Sequence, residues 1–444
     1  MQTPHEILKQ YWNFDQFRES QLDIINNILN GKDTLALLPT GGGKSVCFQV
    51  PALMQDGICI VISPLVALMK DQVFQLKKKE IKAAAIFSGL TYNEIDIVLD
   101  NCQFGYYKFL YVSPERLKTD IFIERFKLMK VSLIAVDEAH CISQWGFDFR
   151  PPYLEIADIR KYHPKVPVLA LTATATARVQ EEITKKLDFK RGFSVFKKSF
   201  QRENLSFVVR REEAKYPKLA DIIITLKGSG IVYVRSRNKT KDVAEYLQKN
   251  NIKADFYHAG LKHDERNKRQ DNWIKNKTNV IVCTNAFGMG IDKPDVRFVI
   301  HLDIPESIEA YYQEAGRAGR DGNLSYAALL YNQNDIDALI DKKDQKFPAV
   351  ADIKRVYNAI CNYFKIAVGS GKMATRDFDI YTFSKLFNLD VNLVFNCIKI
   401  LEQENYMQLS ESIYMPSRVV FRIDKHDLYK FQVANADYDF LVKA

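Results

Sequence analysis

The segment Leu38-Pro39-Thr40-Gly41-Gly42-Gly43-Lys44-Ser45 sets three glycines, a lysine and a hydroxyl between a short apolar strand and an apolar helix. Such a loop can wrap backbone N–H groups around a phosphate, and the helix N-terminus adds a favourable dipole. The spacing assigns Thr40, Gly41, Gly42 and Gly43 to the cradle, Lys44 to the β/γ-phosphates of a nucleotide and Ser45 to Mg²⁺. Leu38 stands where the usual pattern of such loops has glycine. Downstream, the apolar run Leu133-Ile134-Ala135-Val136 leads into Asp137-Glu138-Ala139-His140. An aspartate at a buried strand end can hold Mg²⁺, and the adjacent glutamate can orient or deprotonate an attacking water. No second histidine lies at helical spacing from His140, which is therefore read as a coupling residue and not a metal ligand. Arg317 and Arg320 lie three apart in Gln313-Glu314-Ala315-Gly316-Arg317-Ala318-Gly319-Arg320-Asp321-Gly322 and are expected on one helical face. From there they can neutralise charge on a transferring γ-phosphoryl group. Lys44, Asp137, Glu138, Arg317 and Arg320 are thus the candidate catalytic groups of a nucleoside triphosphate hydrolase.

These residues need a scaffold that brings strand-end loops together. Short apolar runs alternate with helical stretches over Thr34 to Leu38, Cys59 to Ser63, Ala84 to Phe87, Phe109 to Ser113, Leu133 to Asp137 and Val168 to Thr172. That rhythm predicts a parallel sheet wrapped by helices, with functional loops at the strands' carboxyl ends. A second series begins near Leu205 and runs through Gly230 to Arg235, Ala254 to Tyr257, Val280 to Thr284, Val296 to Leu302 and Tyr326 to Tyr331. Two α/β lobes in tandem follow, residues 1–204 and 205–346, joined by the polar stretch Ser199 to Asn204. From 347 to 444 the rhythm stops. Helices near Ala351 to Ala367, Thr382 to Phe387 and Val391 to Glu404 precede β-rich pieces at Tyr406 to Leu409 and Arg418 to Ile423, the order of a winged helix. Phe383, Leu386 and Phe387 with Val394, Ile398 and Leu401 suit two packed helices, and Asn392, Asn396 and Lys399 fall on the opposite face, towards a phosphate backbone.

Composition sets outer limits. At 444 residues the chain exceeds what one core usually organises. Its 47% hydrophobic and 26% charged content is that of a folded protein, and no apolar run approaches bilayer length. The N-terminus lacks the basic and apolar regions of a secretion signal, so a cytoplasmic or nuclear and not a secreted protein is expected, with no membrane partner. A formal charge of +9 suits a polyanion without requiring one. The seven cysteines form no C-x-x-C pair, which argues for free thiols.

Ordered motifs from about residue 14 to 331 make the chain resemble the RecQ family of superfamily 2 DNA helicases, whose lobes are RecA-like. Phe17-Arg18-Glu19-Ser20-Gln21 resembles the family's adenine-reading element, which gives Gln21 the paired amide that adenine requires, Phe14 the stacking ring and Arg18 a companion role. Ser63 to Gln72 and Ser113 to Leu117 resemble first-lobe segments that contact the strand backbone. Leu171-Thr172-Ala173-Thr174-Ala175-Thr176 resembles the motif linking ATP state to DNA contacts. Tyr233 to Asn238, Tyr257 to Leu261 and Thr284 to Asp292 match the second lobe's remaining motifs. Cys141-Ile142-Ser143-Gln144-Trp145-Gly146-Phe147-Asp148-Phe149-Arg150-Pro151 resembles the family's aromatic-rich loop, in which Trp145 and Phe149 can stack on bases and Arg150 can pair a phosphate. Phe147 stands where the family usually has histidine. The resemblance implies ATP with Mg²⁺, single-stranded DNA and duplex junctions as partners, 3′→5′ unwinding, and work in DNA repair or recombination.

The chain departs from the family after the second lobe. Many relatives carry a four-cysteine zinc module there, whereas this chain has only Cys361 and Cys397, so no zinc is expected. Asp437 to Ala444 reads as the start of another helix, as in a piece of a longer protein. Three other functions remain open: an RNA helicase, since such lobes grip phosphates; a DNA translocase or annealing ATPase that separates no strands; and a non-enzymatic scaffold. The scaffold predicts a broken ATPase, against which Lys44, Asp137, Glu138 and Arg320 all speak.

Overall fold

The structure, a computed structural model, describes residues 2–39, 41–87, 89–143, 149–199, 201–287, 293–367, 370, 376–404 and 406–407. The chain divides into two compact units, Met1–Leu339 and Ile340–Ala444.

The first unit holds two RecA-like lobes, each built on a parallel sheet. In lobe 1 the strands are β1 (Thr34–Leu37), β2 (Ile58–Ile62), β3 (Ala83–Ile86), β4 (Phe109–Val112), β5 (Val131–Val136), β6 (Val168–Thr172) and β7 (Ser194–Lys197). They lie in the order β3-β4-β2-β5-β6-β1-β7. Lobe 2 contributes β8 (Leu205–Arg211), β9 (Ser229–Tyr233), β10 (Ala254–Tyr257), β11 (Val280–Cys283), β12 (Val296–His301) and β13 (Ser325–Tyr331), ordered β10-β11-β9-β12-β13-β8. The central strands are apolar over most of their length, with residues of both faces buried, because helices cover both faces. Leu35, Leu37, Ile134 and Val136 enter one core, while Ala36, Leu38, Leu133 and Ala135 enter the other. β7 was not expected from the sequence. Its residues alternate between half-buried and exposed, the mark of an edge strand, which a search for continuous apolar runs passes over.

A buried ion pair ties the amino ends of the lobe 1 strands. Asp33, which precedes β1, accepts from Arg160 Nη2 at 2.7 Å and from the backbone N–H groups of Val168 and Lys190, each at 2.8 Å. Arg160 also donates to the Leu187 carbonyl at 2.6 Å. The pair therefore clamps the end of the sheet opposite the strand-end loops.

In the second unit the helices Val350–Phe364, Ile380–Phe387 and Val391–Gln403 pack around Val356, Phe383, Val394, Cys397 and Ile398. Leu386 is corrected from core to surface, at 66% exposure, because its helix turns Phe383 and Phe387 inward instead. Asn396 donates to the Gln345 carbonyl at 3.1 Å and Lys399 pairs with Glu402 at 3.0 Å, so both expected phosphate contacts already have protein partners. The expected strand at 418–423, and half of that at 406–409, lies outside the described residues.

Asp33→Ala should destabilise lobe 1 by about 3 kcal/mol, because it leaves the Arg160 charge buried without its partner. Urea unfolding checks this. A change within about 0.5 kcal/mol, the range of an ordinary surface substitution, would show that the clamp contributes nothing.

Candidate functional site

The carboxyl ends of β1, β5 and β6 lie side by side, and their register keeps them level, with Leu37 opposite Thr172 and Val136 opposite Ala170. The glycine loop leaves β1 and turns through Gly41 (φ 79°) and Gly43 (φ 75°), a left-handed conformation that glycine adopts without steric cost. A Cβ on Gly42 would stand 2.8 Å from the Pro39 carbonyl oxygen. Thr40 lies outside the described residues. Ser45 then starts the helix Val46–Met54, whose first-turn N–H groups donate back to the carbonyls of Gly43, Lys44 and Ser45 and whose dipole favours an anion at this end.

Side chains brace this loop from below and beside. Gln72 Nε2 donates to Ser45 Oγ at 3.2 Å, and its Oε1 accepts from Gln49 at 3.1 Å and from the Tyr111 hydroxyl at 3.4 Å. Sequence reasoning placed Gln72 in a strand-contacting motif and missed this role. Gln21, only 4% exposed, donates to the carbonyls of Gly42 (3.2 Å) and Gly43 (3.1 Å) and accepts from the Arg18 N–H at 2.8 Å. The amide expected to read adenine thus engages the phosphate loop on both sides. Arg18 bonds the Gly41 carbonyl, and Phe14 is 56% exposed at the rim of the cleft.

At the end of β5, Glu138 takes a left-handed conformation (φ 48°, ψ 46°). Its N–H donates to Asp137 Oδ1 at 3.0 Å, and the Tyr153 hydroxyl donates to the Asp137 carbonyl at 2.9 Å. Burial, with the Glu138 carboxylate beside it, pushes the Asp137 carboxyl well above the usual carboxylate range, while Lys44 pulls it down. Among the described residues Glu138 Oε2 is buried with no hydrogen-bond partner, 3.4 Å from His140 Nδ1. His140 Nδ1 also lies 2.9 Å from Thr172 Oγ1, which donates to the Thr174 carbonyl at 3.0 Å and accepts from the Thr174 N–H. Because the Thr172 proton is committed to Thr174, His140 Nδ1 carries the proton of the shared bond. A polar chain therefore runs from Glu138 through His140 and Thr172 to the loop after β6.

The arginines approach from lobe 2. The helix Ile308–Ala315 ends before either of them, and residues 316–322 form successive turns, which corrects the expectation of a helical face. The helix is capped at Gly316, and Gly319 (φ 62°) then turns the backbone between the two arginines, its N–H donating to the Val296 carbonyl at 2.8 Å. Both arginines still border the cleft of about 800 Å³ that Lys44, Ser45, Asp137 and Glu138 line. Arg320 Cγ lies 3.2 Å from where a Cβ on Gly41 would be, so the two lobes touch at the phosphate loop. Just upstream, Glu314 bonds the buried His301 at 2.8 Å, and the His301 ring stacks on Tyr233. No motif spacing had indicated that pair.

Of the aromatic-rich segment, Trp145 lies outside the described residues, as does the whole segment from 288 to 292. Phe149 is half-buried, and Arg150 donates to the Pro64 carbonyl at 3.0 Å, tying its loop to the one after β2.

A family model described as DEAD/DEAH box helicase matches residues 18–183, and one described as helicase conserved C-terminal domain matches 214–322. The RecS protein of Bacillus subtilis is 43% identical over 359 residues, covering 79% of this chain and 72% of that protein. The ATP-dependent DNA helicase RecQ of Haemophilus influenzae is 43% identical over 334 residues, 75% of this chain and 54% of its own length. The chain belongs to the RecQ family of ATP-dependent DNA helicases. It thus spans about half the length of that RecQ protein. Among solved structures, the Mycobacterium smegmatis helicase Lhr bound to ssDNA and AMP-PNP aligns with a TM-score of 0.60 at 18% identity, covering 81% of this chain and 50% of that one. The DUF1998 helicase MrfA bound to DNA gives 0.62 at 17% identity, with 77% and 53% covered. At such identities the likeness shows the fold alone.

The RecQ-family cleft fits a nucleotide with a divalent cation. The adjacent Asp137 and Glu138 carboxylates and the Ser45 hydroxyl, all bordering this cleft, are the oxygen donors that a hard divalent cation takes. Among the described residues no helix is long and apolar enough to cross a membrane.

Lys44→Ala should lower kcat for ATP hydrolysis by about 100-fold or more, the scale of losing one preorganised charge contact. Glu138→Gln should lower kcat comparably while holding nucleotide affinity within about threefold. Steady-state turnover and nucleotide binding check both, and near-wild-type turnover in either variant would overturn the site.

Proposed function

We propose that the chain is an ATP-driven motor that translocates 3′→5′ on single-stranded DNA and unwinds duplexes, in the service of DNA repair or recombination. The observation that carries this reading is the split site: Lys44, Ser45, Asp137 and Glu138 of lobe 1 share one cleft with Arg317 and Arg320 of lobe 2. Hydrolysis then depends on how closely the lobes approach, which is what a motor requires.

In this reading Lys44 and the N–H groups after Gly43 bind the phosphates. Ser45 and Asp137 would hold Mg²⁺, which when bound supplies charge to neutralise phosphate oxygens. Glu138 orients the attacking water and accepts its proton. Arg317 and Arg320 neutralise charge on the transferring group. The chain from Glu138 through His140 and Thr172 to Thr174 gives strand contacts beyond β6 a route to the water-positioning carboxylate. DNA as the strand, and the polarity, rest on family membership and on the RecQ-like segment Cys141 to Pro151.

Two measurements test this. ATP hydrolysis should rise at least about tenfold with single-stranded DNA over RNA, and a duplex with a 3′ tail should open where a 5′-tailed one does not. Equal stimulation by RNA would mark an RNA helicase, and hydrolysis without strand separation a translocase. Thr172→Val removes the bridging hydroxyl at nearly constant shape. It should reduce DNA-stimulated turnover about tenfold while basal turnover stays within about twofold, whereas equal losses in both would show that the chain of bonds only supports the fold.

A further inference from the structure

The polypeptide that joins the lobes begins at the phosphate loop. Lys198 N–H donates to the Leu37 carbonyl at 3.1 Å, beside the last residue of β1. Four residues on, the Arg202 guanidinium donates to the Gly316 carbonyl at 3.1 Å and also to the Gly319 carbonyl. Asn204 Nδ2 donates to the carbonyls of Gly319 (2.7 Å) and Asn323 (3.0 Å), and its own carbonyl accepts from the Ser325 N–H at 2.8 Å. The carbonyls gripped by Arg202 bracket Arg317, and Gly319 immediately precedes Arg320. A Cβ on Gly319 would stand 2.5 Å from Asn204 Nδ2, so the turn is fitted to the asparagine.

A mere tether needs only length. This one ends in a planar, five-donor fork that spans two carbonyls, which fixes orientation as well as distance. We propose that Arg202 and Asn204 are positioning residues for ATP hydrolysis, which hold the turn bearing Arg317 and Arg320 and make its placement follow the approach of the lobes. The inference rests on the reading of those two arginines as the groups that neutralise the transferring γ-phosphoryl.

The test measures DNA-stimulated turnover and affinity for ADP–aluminium fluoride with Mg²⁺, a mimic of the transferring group, in Arg202→Gln, Arg202→Lys, Asn204→Ala, Arg320→Ala and the double variant Arg202→Gln/Arg320→Ala. Arg202→Gln should lower kcat about tenfold with KM for ATP within about twofold, and weaken the mimic by a similar factor while ADP affinity holds. Arg202→Lys and Asn204→Ala should fall between it and the wild type, and either carries the test if Arg202→Gln does not fold. The double variant should be no slower than Arg320→Ala, since both changes remove one function. Full kcat in the folded Arg202 and Asn204 variants, parallel losses of kcat and ADP affinity, or multiplying effects in the double variant would each overturn the inference. Wild-type turnover in Arg320→Ala would instead overturn the arginine assignment, and this inference with it.

Discussion

A transferring phosphoryl group gathers negative charge that some array of cations must meet, and the proposed site divides that array between two bodies. Lobe 1 supplies Lys44 together with the two carboxylates Asp137 and Glu138, and lobe 2 supplies Arg317 and Arg320. Neither lobe alone presents a balanced site. The pairing of parallel sheets follows from that requirement. A parallel sheet delivers all its strand ends to one side, so one lobe can bring the glycine loop, the acidic pair and the Thr172 loop together from β1, β5 and β6.

The phosphate loop is held by more than its glycines. Gln21 and Arg18 bond its carbonyls from the N-terminal side, and Gln72 fixes the Ser45 hydroxyl from beneath. A base-side element that grips the loop backbone ties the shape of the phosphate cradle to the segment expected to meet the base. Glu138 adds a second constraint. Its left-handed backbone is unfavourable for a residue with a side chain, and such conformations persist where surrounding structure over-determines them. Here the Asp137 carboxylate accepts the Glu138 N–H and Tyr153 grips the preceding carbonyl, so the turn is pinned from two sides.

The sheets were legible in the sequence because most buried parallel strands are apolar runs, and Val168 to Thr172 falls where the pattern set it. The glycine loop and Asp137-Glu138 were legible because their chemistry is local in sequence. What escaped is interaction with backbone carbonyls over long separations. Gln21 reaching Gly42, Asn396 reaching Gln345 and Arg202 reaching Gly316 leave no mark on residue type or spacing, since any carbonyl can accept. The arginine pair shows the limit from the other side. Spacing of three suggested a helix, yet the helix stops at Ala315 and a glycine at φ 62° turns the backbone between the arginines, and both side chains still reach the cleft.

The joining segment shows what tandem lobes gain from a short connection. From its tie to Leu37 at Lys198 to its grip on Gly316 at Arg202 the chain takes four Cα–Cα steps, which at full extension reach about 14 Å. Any larger separation at this point must break either the bond that extends the β1–β7 pairing or the guanidinium fork. Both ties lie within a few residues of catalytic groups, the first beside the glycine loop and the second around Arg317. A lobe movement large enough to withdraw the arginines therefore pulls on a strand end next to Lys44, while small rotations about the segment leave both ties intact. An opening that keeps both ties would hinge beside the glycine loop and the turn that carries Arg317. Such a hinge gives small displacements at the phosphates and larger ones at the outer faces of the lobes, where a strand would be carried.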